Sequence, residues 1–194
     1  FRSTAAGASV LTVQATDANG CHVRETYTLA VFADSAASHV AAVTEGLAFS
    51  SVRTQVTVPF RMMRGEAAPV RLAHVEFRLD SLYRLVTPNA PASSIREGTW
   101  FAGYPQRTFQ VLSLGAGSYS VDAALLGASC GPDTGGVLFN VDLEATVGGD
   151  AVGAITVTDV TVRDCDNRPV SVQPGDPAPL RIQNTDLIVL PTSL

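Results

Sequence analysis

Apolar and polar residues alternate with a period of two along most of this chain, the pattern of β-strands that bury one face. It is plainest in RLAHVEFRLD, where Val75, Phe77 and Leu79 fall on one side and His74, Glu76, Arg78 and Asp80 on the other. The stretch 56–62 repeats it, setting Val56, Val58, Phe60 and Met62 against Thr57, Pro59 and Arg61. Pro59 has no amide hydrogen to give a ladder, so it points to an edge strand or a bulge. Further strands are predicted over 108–112, 118–125, 137–146 and 154–162, punctuated by Gly115, Gly117, Gly135, Gly136, Gly148 and Gly149. No stretch sustains a helical period. Many short strands with turn signals between them predict an all-β sandwich or barrel.

The first residues form a unit of their own. In SVLTVQATDANGCHVRETYTLAVF, Leu11, Val13 and Ala15 alternate with Thr12, Gln14 and Thr16, and Tyr27, Leu29 and Val31 resume the period after ATDANG. Asn and Gly tolerate positive φ, so the segment reads as a hairpin. A lone hairpin is marginal in water. The expectation is therefore that it closes a module whose remainder lies upstream, in keeping with a chain that starts at Phe1 and not Met. ADSAASHVAA reads as a linker with the boundary near Ser35, although 40–43 already has the character of a strand.

Composition narrows the function classes. At 46% hydrophobic the chain supports a core, and at 16% charged it is poorer in charge than the usual ~25% of soluble domains. All 13 basic residues are Arg, scattered singly, and the net charge is −5. A nucleic-acid binder needs a clustered basic stripe, so nucleic acid is not an expected partner. No apolar run approaches the ~20 residues of a membrane span. Of the three cysteines, Cys130 in ASCGPDTGG and Cys165 in RDCDN both fall in turn-like strings at strand ends. A bridge between them is expected, with two free thiols as the alternative, and Cys21 is left without an assigned partner.

TVQATDANGC followed by YTLAV resembles the closing hairpin of the immunoglobulin-like modules found in tandem on large bacterial surface proteins. Residues 46–183 resemble a cohesin domain of the divergent kind found outside true cellulosomes. The strings that carry this are TVPFRMMR, AHVEFRLD, EGTWFAG, GVLFNVDLEAT and AITVTDVTVRDCDNRPVSVQPG, in that order. The resemblance implies a jelly-roll β-sandwich of about nine strands, related to some carbohydrate-binding modules, whose flat face docks a calcium-loaded dockerin domain. It implies no catalysis and no cofactor. In cohesins an Asn and an acidic residue two positions apart on the third strand contact the dockerin. The matching positions are His74 and Glu76, so the acid is kept and the Asn is replaced. The organisation expected is a truncated Ig-like hairpin over 1–33, a linker over 34–45, the cohesin-like sandwich over 46–183, and a linker or next module from 184 to 194. A secreted or cell-surface location follows from the same resemblance.

Candidate chemistry outside the resemblance is thin. There is no GxSxG elbow, no HExxH and no phosphate-cradling Gly loop. Asp80 and Glu97 are the acids nearest to a hydrolytic pair, but the sequence does not bring them together. Asp164, Asp166 and Asn167 alternate like the start of a calcium loop, yet Pro169 stands where its Gly is needed, and a turn capped by its own Asp is the favoured reading. Trp100 and Tyr104, in GTWFAGYP, offer a candidate carbohydrate contact if exposed. A core role for this cluster, on a strand, is favoured. The face of His74, Glu76, Arg78 and Asp80 reads first as a solvated sheet face and is still the best candidate for docking a protein, while a polysaccharide partner and a simple spacer role are the alternatives for the chain.

Overall fold

The computed structural model describes residues 7–16, 22–31, 37–50, 54–65, 68–127 and 130–183. Cys21, the ATDANG turn beyond Thr16 and the segment 184–194 lie outside the described residues. The chain divides into two units, 1–36 and 37–194. In the first, β1 (Gly7–Thr16) pairs antiparallel with β2 (His22–Val31), from Gly7 opposite Val31 to Thr16 opposite His22.

The second unit runs β3 (His39–Ala42), β4 (Ala48–Phe49), β5 (Gln55–Met63), β6 (Val70–Leu79), β7 (Tyr83–Leu85), α1 (Pro91–Ser94) and β8 (Ile95–Glu97). It continues with β9 (Arg107–Gly115), β10 (Ser118–Leu125), β11 (Gly136–Ala145), β12 (Ala151–Asp164), β13 (Pro169–Val170), β14 (Gln173–Pro174) and β15 (Ala178–Ile182). One sheet has the order β4-β15-β12-β6-β10-β9, with β13 beside β12, and the other β14-β3-β5-β11-β7, with β8 also beside β11. β7 and β8 pair with successive stretches of the same strand, 143–145 and 139–141, and Val86 N–H donates to Asp142 O between them. They are one edge strand interrupted by an excursion that holds α1. Counted so, and leaving out the three two-residue strands, the described residues of the sandwich form nine strands.

The period of two decides which side chains enter the core. Val56, Val58, Phe60 and Met62 of β5 face Ala73, Val75, Phe77 and Leu79 of β6, and all eight are buried. Phe77 stacks toward Phe60, Phe139 and Tyr119 at centroid distances of 4.7, 5.7 and 5.5 Å, which joins the two sheets through one aromatic cluster. Where the sequence period slips, the backbone absorbs it. β12 carries a bulge between Val157 and Asp159, and β11 one between Val137 and Phe139, which is why adjacent Leu138 and Phe139 are both buried. Tyr83 adds a polar stitch: its hydroxyl donates to Leu180 O and accepts from Gly153 N–H at 2.7 Å. A Cβ at Gly153 would lie 2.7 Å from the Tyr83 ring, so the contact needs a glycine there.

Two expectations are corrected by this arrangement. The segment 34–45 is not linker throughout, because His39–Ala42 forms β3 and Val40 is fully buried in the core. Pro59 is not on an edge strand, since β5 lies between β3 and β11, but the other reading, a bulge, has a counterpart beside it, where β11 slips register between Val137 and Phe139 opposite Arg61 and Phe60. Pro59 sits where the β3 ladder runs out: Ala42 pairs with Phe60, and the Pro59 carbonyl accepts the last bond, from Val43 N–H at 2.9 Å. Facing residues of this kind exchange two bonds in an antiparallel ladder, and Pro59 can accept one but give none, so the ladder ends on it. Cys130 and Cys165 are joined in a disulfide with Cα atoms 5.4 Å apart, tying the segment ahead of β11 to the turn after β12.

Candidate docking face

The outer surface of β12, β6, β10 and β9 is a largely polar field. Strand register sets its rows. His74 lies opposite Asp122 of β10 and Thr161 of β12; Glu76 lies opposite Ser120 and Asp159; Arg78 lies opposite Ser118 and Thr156. The next row toward the disulfide end holds Arg163, Leu72 and Ala124, with Thr108 beyond on β9. β9 adds Gln110 opposite Asp122 and Leu112 opposite Ser120. Leu112 and Leu114 are 57% and 52% exposed, an apolar margin along the free side of the field.

His74 is the hub. Its Nδ1 is 2.8 Å from Asp122 Oδ1 and its Nε2 is 3.5 Å from Glu76 Oε1, so the ring is held between two carboxylates on neighbouring strands. Partial burial by itself would lower its pKa. The hydrogen bond and charge of Asp122, with those of Glu76 behind them, outweigh burial and raise it above the ordinary 6.5. Such half-exposed pairs contribute little stability. Their effect is to fix where Glu76 and Asp122 point, and with exposed Asp159 opposite Glu76 they give the face an acidic centre.

Of the four face residues read from the sequence, His74, Glu76 and Arg78 share this surface, whereas Asp80 does not belong to it. Asp80 lies past the end of β6, and its carboxylate accepts from Leu82 N–H at 3.0 Å, which caps the turn into β7. Glu97 is on the other sheet and is paired with Arg107 at 2.7 Å, so Asp80 and Glu97 are each engaged elsewhere. The aromatic platform is also corrected. Trp100 is 6% exposed, stacks on Phe101 at 4.8 Å and donates its indole N–H to Thr134 O at 2.7 Å, so its face is not open to a sugar. Tyr104 is half-buried against the same core. This cluster fills the core from a turn, not from a strand. The Asp164 loop is the self-capped turn expected: Asp164 Oδ1 accepts from Asp166 and Arg168 N–H at 2.9 and 2.8 Å. Among the described residues no group of three His, Cys, Asp or Glu side chains is placed to hold a metal ion, and no helix is long and apolar enough to cross a membrane.

Strand order and the interrupted edge strand together define a two-sheet jelly-roll module. Several solved structures that share this fold are cohesins. The non-cellulosomal cohesin of the archaeon Archaeoglobus fulgidus is 17% identical, with a TM-score of 0.55, covering 75% of this chain and 90% of that one. The cohesin module of a Clostridium perfringens family 33 glycoside hydrolase is 11% identical with a TM-score of 0.58, covering 77% and 99%. A chain of a type I cohesin–dockerin complex from Clostridium thermocellum is 10% identical with a TM-score of 0.57, covering 76% and 94%. No family model matches the chain, and no curated protein matches it by sequence. At these identities the likeness is one of fold: the chain has a cohesin-like fold.

Proposed function

We propose that this chain is a non-catalytic docking module of a secreted or cell-surface protein, which binds a dockerin-type domain through the β12–β6–β10–β9 face. The observation that carries the reading is the His74-centred field: a sheet surface four strands wide on which Glu76 and Asp122 are both held by the His74 ring between them. The cohesin-like fold supports it, as do the complexes of similar folds with dockerins. Oriented charge on a rigid face supplies specificity and encounter rate more than raw affinity. Burial of Trp100 weighs against the polysaccharide reading. The test is capture from the parent organism's secreted proteins with wild type and Glu76→Lys side by side, with and without calcium chelation. A captured protein that carries a dockerin-type domain, needs calcium and is lost with Glu76→Lys is the expected result. Capture that ignores Glu76→Lys would remove this face from the proposal.

A further inference from the structure

One end of the same sheet surface carries a cleft of about 320 Å³, lined by Arg71, Leu72, Ala124, Leu125, Arg163 and the Asp164–Asn167 turn. Leu72, Ala124 and Leu125 give it apolar lining, and Arg71 and Arg163 bring two guanidinium side chains to it. Both are held by main-chain carbonyls: Arg71 Nε donates to Leu125 O at 3.4 Å and a second Arg71 nitrogen donates to Gly127 O. Arg163 donates to Asn167 O at 2.9 Å, a carbonyl presented by a residue with φ of 62°. Arg84, Arg96, Arg107 and Arg168 are each paired with a carboxylate, whereas among the described residues neither Arg71 nor Arg163 is in an ion pair. The one acid lining the cleft, Asp164, turns its Oδ1 to two backbone N–H groups of its own turn and pairs with neither guanidinium.

A guanidinium has five N–H donors, and these bonds use two on Arg71 and one on Arg163. The remainder stand beside that apolar lining in orientations fixed before any ligand arrives, which lowers the ordering cost of binding. Two forks beside apolar lining suit a carboxylate on a short methylene stem. From these contacts we infer that the cleft is a subsite for a glutamate or aspartate side chain of the docked protein partner, an inference that rests on the docking reading above.

The cleft row, at Leu72, and the acidic row, at Glu76, are four residues apart on β6, about 13 Å along the strand. The partner therefore presents an acid for the Arg71–Arg163 cleft and a base for Glu76, Asp122 and Asp159 at that spacing. On a helix this is about two and a half turns. A partner with one sign of charge along its contact stripe meets repulsion at one end or the other.

The experiment follows the Arg Nε–H signals of the isotope-labelled chain by NMR, at low salt, during titration with N-acetyl-L-glutamate. Both this probe and its control, N-acetyl-L-glutamine, are used as their α-N-methylamides, so that the side-chain carboxylate is the one charge of the first and the second is neutral, with trigalacturonate as the polysaccharide source of the same group. The expected result is a saturable shift of Arg71 and Arg163 with N-acetyl-L-glutamate, absent with the glutamine analogue. It is lost in Arg163→Gln and weakened in Arg163→Lys, which keeps the charge and loses the fork, with melting curves of both variants matched to wild type. No shift with N-acetyl-L-glutamate overturns the inference, even where Glu76→Lys abolishes capture. Response to trigalacturonate alone overturns the protein side chain as its source. A cleft that takes N-acetyl-L-glutamate, in a chain whose captured proteins ignore both Glu76→Lys and Arg163→Gln, overturns the docking reading instead.

Discussion

Replacing Phe77 by Ala removes the side chain that holds the two sheets together. Phe77 is fully buried, and its ring contacts come from β5, β10 and β11, that is, from both layers. A cavity there closes only if whole sheets move toward each other, so relaxation recovers little of the loss. The cost falls in the upper half of the ~3–5 kcal/mol typical of Phe→Ala in a core. Against a total stability of about 5–15 kcal/mol this leaves the fold marginal. At ~2–4 °C per kcal/mol for a domain of this size, Tm falls by about 10–15 °C. Phe77→Leu keeps most of the volume and costs on the order of 1–2 kcal/mol. Urea unfolding followed by circular dichroism, with calorimetric melting beside it, measures both variants. A loss below about 1 kcal/mol for Phe77→Ala, at unchanged urea slope, would refute the picture of a single aromatic cluster joining the layers.

Glu76 lies one residue away on the opposite side of β6, and Glu76→Lys is expected to move stability by less than ~0.5 kcal/mol while abolishing capture; melting and pull-down on one preparation check this. Because His74 titrates above 6.5 in the folded state, the stability it contributes is fully present below its ordinary pKa and is lost as pH rises through the raised one. A series of urea midpoints against pH should show that decline in wild type and lose it in His74→Gln. The bridge between Cys130 and Cys165 spans a sequence separation of 35 and contributes about 4 kcal/mol on the chain-entropy model. Cross-linked peptides in mass spectra of the unreduced protein, and a matching loss of stability in the double Cys→Ser variant, are the expected readouts.

Strand content was legible because the alternation is strict where a strand buries one face, as in β5, β6 and β10. It was less so where bulges shift the phase: 154–162 was read as a strand, but Ile155 and Val157 keep one phase and Val160 and Val162 the other, and β12 extends from Ala151 to Asp164 with its bulge between Val157 and Asp159. His74, Glu76 and Arg78 were found because one strand contains them all. Asp122, Asp159, Leu112 and the Arg71–Arg163 cleft were missed because they come together only through pairing between strands distant in sequence. The polar side of β10, Ser118, Ser120 and Asp122, was visible as an alternation, but nothing in it named β6 as its neighbour. Asp80 continues the parity of β6 by count and misled for that reason. Its short side chain, followed by Ser81 and Leu82, serves the turn instead.

Most neighbours in the sandwich are antiparallel, but two contacts near its termini are parallel. β15 runs alongside β4, with Arg181 opposite Ala48 and Ile182 opposite Phe49, and β14 runs alongside β3. Gln183 N–H adds a bond to Phe49 O at the same seam, at 2.9 Å. Tension along the polypeptide draws the early strand of each pair one way and the late strand the other. Parallel neighbours drawn apart in this sense slide past each other and load their hydrogen bonds together, whereas a hairpin pulled at its open end peels one bond at a time. A module built this way resists a steady pull between its ends with its seams in shear, so the force needed to open it tests those two short ladders before it reaches the aromatic core.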